Sequence, residues 1–198
     1  NRIGENPKFI LSDKSIFRTH VSHDTKFKNF GKIKKKEIDS DLRKEKFTAG
    51  FLGNQPIYFL RGIAVTQQKR SEHLNTLIRT LPETESSRLL DMMNVKYLVS
   101  IPSIQSERYK LVHANIPLPQ QKEELDKFEK SNAIKVYENT KVLPRAFLVP
   151  NCKIIKTGLE YKKEFEGKLF DPKSMVLLEK EVEGFDCSQK RTIDNKDL

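Results

Sequence analysis

The stretch "AIKVYENTKVLPRAFLVP" (133–150) decides how this chain is to be read. It runs as an alternation of apolar and polar residues, a polar turn, a Leu-Pro-Arg step and a second apolar run. Such patterning between turn residues is the signature of strands, so 134–139 and 145–149 are expected as two strands joined by a turn. Asn139 is suited to turn the chain by accepting a bond from its own backbone. Pro144 fixes φ and holds Leu143 extended, so Arg145 enters the second run in a set direction. Arg145 sits among apolar residues, and a buried guanidinium needs a carboxylate. Glu138, across the turn, is the expected partner. One reading makes Tyr137, Glu138, Asn139, Pro144 and Arg145 determinants of the fold. The other lets Arg145 reach a sugar phosphate or a lipid headgroup.

The next clearest block lies upstream. "ETESSRLLDMMNVKYLVS" (83–100) reads as a short helix feeding a strand. Ser86 or Ser87 can cap it. Leu89, Leu90, Met92 and Met93 are expected to face inward, and Asn94 to end the helix in a left-handed turn. Before it, Leu74, Leu77, Ile78 and Leu81 recur at helical spacing until Pro82 stops the pattern. "SIFRTHVS" (15–22) alternates as a half-buried strand, with Phe17, Thr19 and Val21 on one face, after a loose polar start over 1–15. Residues 23–47 read as a long charged surface excursion.

Downstream, "RYKLVHA" (108–114) is a strand and "QQKEELDKFEKS" (120–131) a small helix with Leu125 and Phe128 as its buried pair. "CKIIKTG" continues or bends the second strand of the opening stretch, 161–174 is a polar bridge with one helical turn, and "MVLLEKE" (175–181) is a last strand. The predicted fold class is α+β: a mixed sheet of five or six strands, about three helices and long polar connections. It divides into an N-terminal part (1–83), an α+β core (84–181) and a fraying tail (182–198), one domain overall, as 198 residues suggest.

Composition narrows function without choosing it. Hydrophobic residues make up 36% and charged residues 32%, so the core is lean and the surface crowded with charge. The net charge of +10 suits a nucleic-acid binder or a domain on anionic lipid. No run of about 18 apolar residues reads as a membrane span. The chain opens on "NRIGENPKF" without Met, as a piece of a longer protein would. Cys152 and Cys187 are its two cysteines, either bridged or free, and no Cys-x-x-Cys spacing offers a structural zinc site.

Chemistry-bearing motifs are few. His20, His23 and Asp24 cluster in sequence, but a spacing of three does not converge on a strand, whose faces alternate by two. His73 flanks a helix stripe and His113 ends a strand. There is no Gly-x-Ser-x-Gly elbow, and "GFLGNQP" lacks the Lys-Ser/Thr of a phosphate loop. Glu123 and Lys127 form a solvent-facing pair on their helix. The basic run at 32–36, with Phe27 and Phe30, resembles a stacking surface for single strands, but Glu37, Asp39, Asp41 and Glu45 dilute its field. The residues assign no catalytic group, cofactor or metal.

Three blocks together resemble a known family. "SRLLDMMNVKYLVS" (87–100), "IKVYENTKVLPRAFLVP" (134–150) and "FDPKSMVLLEKE" (170–181) occur in the order seen in the extracytoplasmic part of YfhO-type bacterial membrane proteins. These are polytopic proteins similar to C-type glycosyltransferases that use lipid-linked sugars. The family's Gly-Tyr-Asp-Pro stretch upstream and its sandwich downstream have no counterpart here. The resemblance implies a non-catalytic extracytoplasmic module, tethered to the membrane in its parent, that supports or shapes handling of a lipid-linked sugar or cell-envelope glycan. Its implied partners are the parent's transmembrane helices, which would bear the catalytic acid, and an anionic lipid surface or lipid-linked sugar. The alternative is an independent soluble binding protein for an anionic polymer or nucleic acid, the charge pattern arguing against nucleic acid.

Overall fold

The computed structural model describes residues 4–22, 78, 87–118, 120, 124, 126, 128–129, 131, 133–166, 170–184 and 186–189. The chain divides into two compact units, one of Asn1–Ala64 with Met93–Leu143 and one of Val65–Met92 with Pro144–Leu198. Two of the three boundaries therefore fall inside the predicted 84–181 region, at the end of its first helix and just before Pro144, and the third lies between Ala64 and Val65 in the predicted N-terminal part.

The first unit is built on a four-stranded mixed sheet. In chain order its elements are α1 (Glu5–Ser12), β1 (Arg18–Val21), β2 (Val95–Ser100), β3 (Tyr109–Ala114) and β4 (Lys135–Asn139). The sheet order is β1-β2-β4-β3. β1 runs parallel to β2, and β4 lies antiparallel to both β2 and β3. Alternation decides the faces. Tyr97, Val99 and Ile101 from β2 and its exit join Ile134 and Val136 from β4 and its entry, with Phe17 and Ile10 closing the cluster. α1 supplies Ile10 and the flanking Phe9, so 5–12 is a structured cover over the sheet and not the loose start expected from its polar composition. Asn6 on α1 is buried and donates from Nδ2 to the Ile134 carbonyl, 3.0 Å away, fastening helix to strand.

The opposite side holds a smaller cluster of Ala114, Phe128 and Ala133 with Leu111 against it. Phe128 is helical and buried as expected, while Leu125 lies outside the described residues. Lys135 is fully buried (0% exposed), its ammonium 2.7 Å from the Ile101 carbonyl and 5.4 Å above the Phe128 ring. A register shift between Leu111 and His113 places two residues of β3 against one of β4. A bulge of this kind re-aims side chains. Val112 packs on the main cluster, and His113 stacks on Phe9 at 4.7 Å between ring centroids.

The second unit contains α2 (Ser87–Met92), β5 (Asn151–Ile154), α3 (Gly158–Glu166) and β6 (Met175–Leu178). β5 and β6 pair in parallel, Asn151 opposite Met175 and Ile154 opposite Leu178. The mixed sheet thus has four strands, and two more make a separate small sheet. α3 is longer than the one turn expected over 161–174. Its start is fixed by Thr157, whose hydroxyl accepts the Glu160 amide at 3.2 Å, while the Glu160 carboxylate accepts the Lys156 amide at 2.9 Å. This is the reciprocal arrangement of a capping box, displaced by one residue. Phe165 of α3 meets Tyr161 and Phe170 edge-on or tilted, and Arg88 of α2 donates to the Phe170 carbonyl at 2.9 Å. Leu89 and Leu90 are buried.

Cys152 on β5 and Cys187 form a disulfide that closes a loop of 35 residues in sequence separation. Residue 187, expected in a fraying tail, is tied to the small sheet. By loop-closure entropy such a bridge contributes about 4 kcal/mol.

Candidate functional site

The five residues singled out in the opening stretch part company in the structure. Tyr137, Glu138 and Asn139 lie on β4. Tyr137 is buried, its hydroxyl accepting the Ile104 amide at 3.2 Å, and burial pushes its phenol above the usual range. Asn139 is buried and works in two directions. Its Nδ2 donates to the Val95 carbonyl at 3.1 Å, and its Oδ1 accepts the Lys141 amide at 3.0 Å. The second bond is the Asx turn expected from the sequence. Glu138 is half-buried and stands opposite Tyr97 in β2 and Lys110 in β3.

Pro144 and Arg145 do not join them. Residues 145–149 are not a strand, the next strand being β5 at Asn151–Ile154, and Arg145 is exposed. The expected hairpin and its buried Glu138–Arg145 ion pair are corrected accordingly. The reason is topological. β4 is already flanked by β2 and β3, so a second arm has no free edge to pair with. Pro144 and Pro150 also bracket the segment, and neither has an amide hydrogen to give to a ladder.

The polar constellation that the fold does assemble is one that the sequence reading missed. Asp13, just past α1, meets Lys96 and Tyr97 at the start of β2. Lys96 Nζ lies 2.5 Å from Asp13 Oδ2, and the Tyr97 hydroxyl donates to the same oxygen at 2.9 Å. The Ser15 amide and hydroxyl both donate to Asp13 Oδ1, at 2.9 and 2.7 Å. Lys96 also sits over the Phe17 and Tyr97 rings, at 5.7 and 5.6 Å from their centroids. Burial works to raise the Asp13 carboxyl, but the bonds from Lys96, Ser15 and Tyr97 outweigh it and hold the group well below the usual carboxylate range. Burial, followed by the bond to Asp13 and its charge, pushes the Tyr97 phenol well above its usual range.

A carboxylate held ionised by four donors has no proton to give at neutral pH and little basicity to take one. The cluster is a clamp between α1 and β2, not an acid–base pair. Only the local part was visible beforehand: "DKS" (13–15) is an Asx-type turn signal. Asp13 and Lys96 are 83 residues apart, and no spacing rule reaches that far.

Among the described residues, no group of three or more His, Cys, Asp or Glu side chains could hold a metal ion, and no helix is long and apolar enough to cross a membrane. His20 lies on β1, whereas His23, Asp24, His73, Glu123, Lys127 and the basic run at 32–36 fall outside the described residues.

What remains as a candidate site is a surface. Along 144–150 the chain makes no ladder pairing and bends at Arg145, Ala146 and Pro150; Pro144, Arg145, Ala146 and Leu148 are exposed while Phe147 and Val149 are half-buried. No protein-family model matches this chain, no curated protein matches it in sequence, and no solved structure matches it.

Proposed function

We propose that this chain is a non-catalytic extracytoplasmic module of a glycosyltransferase-like integral membrane protein, shaping the handling of a lipid-linked sugar or envelope glycan. The observation that carries this reading is the Cys152–Cys187 disulfide. Protein disulfides persist in oxidising compartments and are rare in the cytosol, so the bridge favours the outer side of a membrane. Two further features support it. The helix of 87–92 ends at Asn94 with φ 57 and passes directly into β2, giving the "LLDMMNVKYLV" block a structural reason for its Asn. The tight polar cluster of Asp13, Ser15, Lys96 and Tyr97 is engaged in holding α1 on the sheet, as in a supporting module.

The test is fractionation of cells that make the protein naturally, using an antibody raised against this chain. The expected result is a membrane-bound antigen much larger than 23.0 kDa, digested by protease added outside intact cells. A soluble antigen of about that mass, protected until lysis, would overturn the reading.

A further inference from the structure

We propose that residues 179–189 form a strap that a dithiol releases by reducing the Cys152–Cys187 bridge, leaving the β5–β6 sheet and the first unit folded. The first argument is how the strap is held. Among its described residues, 179–184 and 186–189, every side chain is exposed except that of Cys187, which is half-buried. The backbone makes an isolated bridge at Val182. The bond from the Ser188 amide to Asp186 Oδ1, at 2.8 Å, is local to the strap. Gly184 stands at φ 77, and a Cβ added there would meet nothing within 4 Å. Glycine takes this conformation without steric cost, so the chain turns in open space between β6 and Cys187. The covalent bond is thus the anchor that ties the strap to Cys152 on β5, itself 5% exposed.

The second argument is what does not depend on the bridge. β5 and β6 pair along their whole length, from Asn151 opposite Met175 to Ile154 opposite Leu178. Beyond the ladder, the Ile155 amide donates to the Leu178 carbonyl at 2.8 Å, and Asn151 Nδ2 donates to the Ser174 carbonyl at 3.1 Å. The first unit contains neither cysteine. Removing the cross-link therefore restores freedom chiefly to the strap. The two sulfurs also differ in access, Cys187 being half-buried and Cys152 buried. The incoming thiolate attacks Cys187 Sγ, the S–S bond breaks, and Cys152 leaves as a thiolate that takes a proton from water. The second thiol of the reductant then displaces Cys187, which is protonated in turn, and the dithiol ends as its own disulfide. Two electrons pass to the protein. The inference uses the bridge but not the compartment proposed above. Its test uses purified protein, so the two can fail separately.

The experiment is backbone nitrogen-15 relaxation of the full 198-residue chain before and after dithiothreitol. With the bridge intact, amides of 186–189 are expected at order parameters of roughly 0.8, and after reduction below about 0.6. Amides of β2, β4 and β5 should keep their chemical shifts and stay near ~0.85. Cys187→Ser, which cannot form the bridge, should show the released pattern without reductant. The point of attack is read separately, by brief exposure of the oxidised chain to glutathione, acid quenching and peptide mass mapping. The adduct is expected on Cys187 over Cys152 by at least about fivefold. Unchanged order of 186–189 on reduction, or disorder there while the bridge is intact, would overturn the proposal. So would loss of the β2, β4 or β5 signals in the reduced chain or in Cys187→Ser, since the bridge would then hold more than the strap. An adduct mainly on Cys152 would overturn the assigned point of attack.

Discussion

Lys96 Nζ lies 2.5 Å from Asp13 Oδ2, and this pair joins the end of the first helix to the second strand across 83 residues of sequence. Both side chains are largely buried, 17% exposed for Asp13 and 24% for Lys96. Replacing Asp13 with Asn removes the charge while keeping shape, and is expected to cost about 2 kcal/mol, the scale of hydrogen bonds to a charged group. Chemical denaturation of the two proteins at neutral pH measures it. A cost under about 0.5 kcal/mol would mean that the clamp is ornamental.

The same pair sets an acid limit. The Asp13 carboxyl is lower in the folded chain than in the unfolded one, so the unfolded state binds the proton more readily. Its contribution is complete above the unfolded value of ~3.9 and is lost as pH falls from there through the folded value. Wild type and Asp13→Asn should therefore begin to converge in stability as pH falls below about 4 and meet only once it has passed the much lower folded value. Tyr97 acts in the opposite direction. Its phenol is raised on folding, so its contribution is complete below the unfolded value of ~10 and fades as pH rises beyond it. Tyr97→Phe should flatten the alkaline limb of the stability curve and, by removing one of the donors to Asp13, shrink the acid limb without abolishing it.

Asn94 occupies the left-handed region at φ 57, and its Nδ2 donates to the Leu143 carbonyl at 2.9 Å. Asn94→Gly keeps the backbone easy but loses that bond, whereas Asn94→Ala loses both. The expected order of stability is Asn, then Gly, then Ala, with Ala about 2 kcal/mol below wild type. Thermal midpoints at matched pH give the order directly. If Ala equals Gly, the backbone argument is wrong.

Arg145 supplies a contrast. A buried ion pair that loses one partner costs ~3–5 kcal/mol, but Arg145 is exposed. Arg145→Ala should change folding stability by less than about 0.5 kcal/mol. A large loss would revive the abandoned hairpin.

Local chemistry was the legible part of this chain. Asn94 and Asn139 declared their turns because a short amide at the end of a periodic run has few other uses, and both turns are present. β1, β2, β3, β4 and β6 were visible as short apolar or alternating runs between turn residues. The register of the sheet was not. Whether a strand folds back on its neighbour or takes a place in the middle of a sheet depends on which edges are free, and β4 was claimed from both sides by strands distant in sequence. That misplacement carried Arg145 into an imagined core. α1 escaped notice because Asn6 and Pro7 look like surface residues, yet both are buried, Asn6 through a bond to Ile134 that only the fold creates. α3 could have been found from "TGLE" (157–160), whose Thr and Glu stand at capping-box spacing. Two cysteines alone cannot announce a bridge, because pairing depends on separation in space.

The state of those cysteines in the living cell is the most direct test of the account's main claim, that this module works on the oxidising side of a membrane. Cells making the protein naturally would be quenched in acid, unfolded and treated with a maleimide of known mass, with and without prior reduction. The account predicts no addition to Cys152 or Cys187 before reduction and one on each after it. Full addition to both without reductant would contradict it.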